Sequence, residues 1–413
     1  MRYDLVVVGG EIEARHAALA AAALDQRVAL VEPHELGPGG EWRPAGKWPT
    51  RWLREAVARV LEIPGSPVLH RAPSAANLPR RRAGKVSPRT DRELRLAIMR
   101  AVRGQLESIA RCDVAVLQEQ LDARGVDLLR GTARFTSPHR LSVVTLEGEA
   151  RLEAERFVIA CGTRPTRPTG FAFDGQRVFV PEDIRRLESI PGVLLVVGGG
   201  WLGIELGLAF ARLGVQVSVL DAGAFHRDGL MGGQAQGMLD EVEELGIDQH
   251  WGVDAIAVEP TAGNRLRVLL ETGRSLIFES VLYTAKRIGA TAGLGLELAG
   301  LELDERGQIW CDDWGRTWAP ALSAMGEVVG FPPRAGSILD QAQECVCHAL
   351  GLEEYAEVRA GFRLSPRAQP PLRHVQEPVG RPRMRPTTKA SGGRRVSAAY
   401  RPGGGPRTRS TLP

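Results

Sequence analysis

Aromatic residues make up only 5% of this 413-residue chain, and its five cysteines include no C-x-x-C pair. The cysteine pattern leaves neither a disulfide framework nor a zinc-ligand spacing, which suits a reducing cytoplasm and predicts no metal site. No signal peptide is expected, since the strand from Tyr3 to Val8 begins without a basic region or an apolar stretch ahead of it. No long uninterrupted apolar run is present. The nearest, from Val193 to Ala211, holds five glycines and Glu205 and divides better into strand, turn and helix than into a membrane span.

Acidic residues all but vanish near the carboxy terminus, where twelve Arg and one Lys from Arg359 onward face Glu377 alone. That local +12, against +4 for the whole chain, leaves the first 358 residues at −8. Proline and glycine crowd the same stretch, and it cannot bury enough apolar surface to offset the entropy of ordering, so 351–413 reads as a disordered basic tail. Without interleaved aromatics it predicts no specific nucleic-acid partner.

What the chain does have is glycine in two telling places. Val193 to Val197 leads into Gly198-Gly199-Gly200-Trp201-Leu202-Gly203, a G-x-G-x-x-G turn, followed by an apolar helix and a strand ending in Asp221. In that pattern Gly198 permits the bend, Gly200 lets backbone approach a diphosphate, Gly203 lets helix and strand pack closely, and Asp221 accepts from a ribose diol. A carboxylate at Asp221 repels a 2′-phosphate, so NAD(H) is favoured over NADP(H). The same grammar opens the chain: Leu5 to Val8, Gly9-Gly10-Glu11-Ile12-Glu13-Ala14, an alanine-rich helix, and a strand ending in Glu32. Here Glu11 stands where backbone must approach an anion, and its charge repels a diphosphate unless the side chain turns outward. The residues of this first turn leave two readings open, a dinucleotide seat formed by Gly9, Gly10, Ala14 and Glu32, or a βαβ unit that has lost its ligand.

Further segments follow at matching intervals: Gly39 to Arg51, Arg130 to Phe135, Ile159 to Pro165, and Ala324 to Pro332. With the two turns, they give the first 350 residues or so a resemblance to the flavoprotein pyridine nucleotide-disulfide oxidoreductases, and within them to the soluble transhydrogenase branch. The resemblance implies an α/β fold with two Rossmann-like domains. The FAD domain would comprise 1–168 and 285–350, and the NAD(P) domain 169–284. It implies FAD held by the first turn with Gly40, Gly162, Gly326 and Glu327, nicotinamide nucleotide as the other partner, and Arg51 with Glu205 as a charged pair near the flavin. It also marks departures. Trp42 and Lys47 occupy the positions of the redox disulfide, which removes disulfide reduction from the expected activities. Glu327 replaces the family's Asp, and Lys286 replaces a glycine. The dimerisation domain has no counterpart, so the family's homodimer is not expected. A second reading stays beside the enzyme, an inactive nucleotide-binding remnant that keeps only the NAD(H) site.

Overall fold

The computed structural model describes residues 1–36, 42–44, 50–63, 88–223, 233–261, 263, 265–331 and 337–352, all within one compact unit, Met1–Phe362. The expected tail beyond 352 and the Gly40 position lie outside the described residues.

The chain starts with β1 (Arg2–Val8), α1 (Ile12–Ala22), β2 (Val28–Leu36) and β3 (Trp42–Pro44), then runs through α2 (Thr50–Glu62) and the 35-residue α3 (Pro88–Asp122). Strands β4 (Asp127–Ser137), β5 (Arg140–Thr145), β6 (Gly148–Ile159) and β7 (Thr163–Pro165) follow. The second half contains β8 (Val178–Phe179), β9 (Val193–Val197), α4 (Trp201–Arg212), β10 (Gln216–Asp221), α5 (Gly233–Glu244) and β11 (Asp248–Trp251). It continues with β12 (Ala255–Thr261), β13 (Arg265–Leu270), β14 (Ser275–Phe278) and β15 (Ser280–Tyr283). The chain then returns through β16 (Arg287–Gly289), β17 (Ile309–Trp310), β18 (Leu322–Ala324), β19 (Val329–Phe331) and α6 (Ile338–Ala349).

Strand β1 lies between β2 and β6, parallel to both, with β4 and β18 outside them. The far ends of the long strands β4 and β6 leave this parallel layer and pair antiparallel with β5. Five residues of β1 are fully or nearly fully buried, Leu5 and Val6 to Val8 among them, as a central parallel strand covered on both faces requires. One face is covered by α1, α6 and the end of α3. Alanines 14, 17, 18, 20 and 21 keep α1 slim enough to pack closely against that layer. Helix α6 starts at Ser337, whose Oγ accepts from the Asp340 N–H at 3.1 Å, and ends where Arg156 Nε donates to the Ala349 carbonyl at 2.9 Å. A cap at one end and a cation at the other fit the helix dipole.

The second sheet, in order β11-β10-β9-β15-β8, is parallel throughout. The antiparallel β12–β14 meander covers one of its faces. The other face packs against α4 and, less expectedly, against α2 and α3, which the sequence boundaries give to the first domain. Trp52, Val57, Ile98, Met99 and Leu106 share a core with Phe179, Leu194, Val196 and Ile204. Each such large side chain contributes about 1.5–3 kcal/mol when fully buried, so this contact is no loose hinge. A polar tie reinforces it. Arg95 of α3 donates to Glu279 Oε2 at 2.6 Å, and the Gly192 N–H donates to the same oxygen at 2.7 Å.

Among the described residues, no helix is long and apolar enough to cross a membrane and no His, Cys, Asp or Glu cluster could hold a metal ion.

Candidate functional site

In open parallel sheets, ligands bind beyond the carboxyl ends of strands where the chain order switches direction. The first sheet switches between β1 and β6, the second between β9 and β15, and each glycine turn stands at one of these points.

At the second turn Gly198 has φ +114, and a Cβ there would lie 2.5 Å from the Ala285 nitrogen and the Thr284 hydroxyl. Only glycine fits. Thr284 Oγ1 is hydrogen-bonded to the carbonyls of Val197 and Gly198 at 3.1 and 3.0 Å, fastening the turn to the strand across the switch point. A Cβ on Gly203 would run into the Gly198 carbonyl, so this glycine sets the approach of α4 to the turn. Gly200, the N-cap of α4, is different: a Cβ there would meet nothing within 4 Å. Open space at the positive end of a helix is what an anionic ligand needs. Asp221 accepts from the Gly199 N–H at 2.5 Å and the Gly223 N–H at 2.8 Å. The sequence reading reserved this carboxylate for a ribose, whereas here it also holds the turn. Trp251, paired with Asp221 across β10 and β11, sits against Gly199 and leaves no room for a side chain there.

The first turn repeats the back of this arrangement. A Cβ on Gly9 would strike the Ala160 carbonyl, and its N–H donates to the Val31 carbonyl at 2.9 Å. Ala14, in the place of Gly203, has its methyl 2.8 Å from that same hypothetical Cβ, and Gly10 has only Pro33 nearby, at 3.8 Å. The front differs. Glu11 is the N-cap residue of α1, and its Oε1 lies 3.1 Å from the point a Cβ on Gly162 would occupy. Gly162 itself has φ +67. Glu32, buried midway along β2 and not at its end as the sequence suggests, pairs with Arg130 at 3.2 Å and Arg15 at 3.5 Å, and Arg15 also reaches Asp113 at 3.3 Å.

The remaining expected residues gather where the chain crosses between the halves. Glu327 Oε2 accepts from the Thr163 hydroxyl at 2.7 Å, and that hydroxyl accepts from Arg287 Nε at 2.8 Å. Arg287 also donates to the Thr163 carbonyl at 2.7 Å and to Glu182 at 3.0 Å, clamping β7 to β16. Gly326, at φ +76, lies against the stem of Glu13. Glu205 of α4 forms an ion pair with Arg54 of α2 at 3.4 Å. The sequence named Arg51 for that pairing; its side chain lies outside the described residues, and Arg54 stands about one helical turn further along the same helix. Thr163, Thr284 and Arg287 were not singled out from the sequence, and the crossing segments that contain them were the only signal.

Two fastened glycine turns at two switch points, joined by paired crossing strands, are the architecture of a two-dinucleotide protein. The sequence profile of the pyridine nucleotide-disulphide oxidoreductases matches residues 3–349. This chain belongs to that family. Soluble pyridine nucleotide transhydrogenase of Mycobacterium bovis is 32% identical over 354 residues, spanning 84% of this chain and 71% of that protein. The Vibrio vulnificus protein of the same name is 27% identical over 350 residues, 83% and 69% of the two chains. The solved structure of LpdA from Mycobacterium tuberculosis superposes with a TM-score of 0.63 at 24% identity, covering 85% of this chain and 72% of that one, and supports the fold.

Family membership makes the chain a flavoprotein-type NAD(P)H oxidoreductase, with FAD as the expected group on the first sheet. The frame fits FAD: Gly9 packs tightly behind the turn, Gly10 is open, and Glu32 follows Val31, the last residue of β2 paired with β1. The Glu11 carboxylate lies beside the same turn, against Gly162. Among the described residues the cysteines form no disulfide, and burial pushes the Cys161 thiol up to about 12, with the Glu11 charge adding to the shift.

Proposed function

We propose that the chain is an FAD-dependent oxidoreductase that passes hydride between NAD(P)H and flavin, in the manner of a soluble transhydrogenase and without a disulfide relay. The observation that carries this reading is the open, fully fastened turn at Gly198 to Gly203, set in the same unit as a second turn of the same design. Bound FAD would supply the hydride-accepting ring. Gly200 admits the diphosphate of the nicotinamide nucleotide to the N-terminus of α4. Asp221, fixed by two backbone N–H groups, keeps lone pairs for a ribose diol and sets a negative charge against a 2′-phosphate, favouring NAD(H). Glu205, paired with Arg54 on α2, forms the charged group proposed to lie beside the flavin, with Arg51 assigned to it from the sequence. Gly162, Gly326 and Glu327 are assigned to the flavin side, where Thr163 and Arg287 hold Glu327. With Trp42 and Lys47 in place of a thiol pair, electrons have no enzyme disulfide through which to leave.

A second reading, a nucleotide-binding remnant that keeps the NAD(H) site alone, is favoured by Glu11. Protein titrated with FAD should quench its fluorescence and, with FAD kept in solution, catalyse hydride exchange from NADH to thio-NAD. NADH binding with neither signal would establish the remnant.

A further inference from the structure

The crevice in front of α4 is empty of side chain at Gly200, whereas the corresponding crevice in front of α1 contains a carboxylate. The Glu11 Oε1 and Cδ atoms lie 3.1 and 3.2 Å from the point a Cβ on Gly162 would occupy. Gly162 closely follows β6, the strand across the switch point from β1, so the side chain turns into the crevice and not away from it. Its charge is felt by the neighbouring Cys161. Glu13 crowds the same helix end, with Cγ 2.9 Å from the point a Cβ on Gly326 would occupy.

We propose that Glu11 is a built-in competitor for the diphosphate of FAD, so that flavin is an exchangeable ligand of this chain and not a permanently held one. The inference rests on the flavin-dependent reading above. The N-terminus of α1 favours an anion, and a tethered carboxylate reaches that region without the entropic cost of association. An arriving diphosphate must displace it or bind against a like charge. The seat is contested and not destroyed, because rotation about the Glu11 side-chain bonds carries the carboxylate clear of a backbone turn that Gly9 keeps in shape.

The test compares wild-type protein with Glu11→Gly and Glu11→Gln. Each is loaded with FAD, dialysed, and titrated with FAD by quenching of flavin fluorescence, and with NADH by calorimetry. Wild type should lose its flavin on dialysis. Glu11→Gly should bind FAD tighter by on the order of tenfold or more, and Glu11→Gln by an intermediate factor. NADH affinity should be the same in all three, which reports that the second turn and the fold around it are intact. Glu11→Gln keeps the size of the side chain and so covers the case of a glycine variant that fails to fold. Wild type that retains one FAD per chain through dialysis, with both variants within about twofold of it, would overturn the inference and leave the flavin-dependent reading standing. NADH binding by all three with FAD uptake by none would overturn both.

Discussion

The turns at Gly9 and Gly198 both lead from a parallel strand into a helix, and they part most sharply at the helix N-cap, Glu11 in one and Gly200 in the other. Behind each turn a glycine is forced, Gly9 by the Ala160 carbonyl and Gly198 by the Ala285 backbone and the Thr284 hydroxyl. In front, a Cβ on Gly200 would meet nothing within 4 Å, and Glu11 stands at the corresponding N-cap with a similarly extended backbone. The comparison separates two kinds of glycine that a motif treats alike. One kind is required by the fold, so its loss unfolds the turn. The other is required only by the ligand, so the fold tolerates its loss.

That distinction orders the effects of substitution. The largest falls on Gly203→Val, which drives a branched side chain into the Gly198 carbonyl; thermal melts should show a loss of about 2–4 kcal/mol, with NADH binding abolished. Next comes Gly200→Glu, which gives the second turn the content of the first. The melting temperature should hold while NADH affinity falls on the order of 100-fold by calorimetry, and a large drop in stability would erase the distinction. Asp221→Ala should weaken NADH by about tenfold and narrow the preference over NADPH, because it removes both the turn's anchor and the charge facing a 2′-phosphate.

Smaller effects test how far the second half depends on the first. Burial raises the Glu279 pKa, but the Gly192 N–H and Arg95 outweigh it and hold the group below its ordinary 4.5. A depressed carboxylate stabilises the fold above its unfolded pKa, and that contribution is lost as pH falls through the folded value. Acid titration of the melting temperature should therefore show a small loss of stability below pH 4.5 that Glu279→Gln lacks. The smallest change is expected of Arg54→Ala. Its side chain is 55% exposed, so breaking the pair with Glu205 should cost less than about 1 kcal/mol.

Much of this layout was legible in the chain. Both glycine turns and the strand ending at Asp221 lie within a residue or two of where the sequence places them, because glycine conformation and short-range periodicity are local properties, whereas β2 runs on past Glu32 to Leu36. Helix α3 runs 35 residues because its two parts are buried in different cores, Ile98 to Leu106 against the second sheet and Leu117 and Leu121 against the first. The hydrogen bonds of Asp221 to the turn, the Arg287–Thr163–Glu327 chain and the Arg54–Glu205 pair were not readable. Each depends on a contact between segments far apart in sequence, and no spacing rule encodes it. Nor does any local signal place α2 and α3 in the core of the second sheet.

That placement imposes an order on synthesis. The apolar face of α2 and α3 leaves the ribosome long before β15, the central-sheet strand that ends at Tyr283 and helps form the surface it covers. At roughly 5–20 residues per second the helices wait roughly 10–40 s for their partner. For that interval Trp52, Ile98, Met99 and Leu106 are a nascent chain's exposed surface, open to capture by a chaperone or by another unfinished copy.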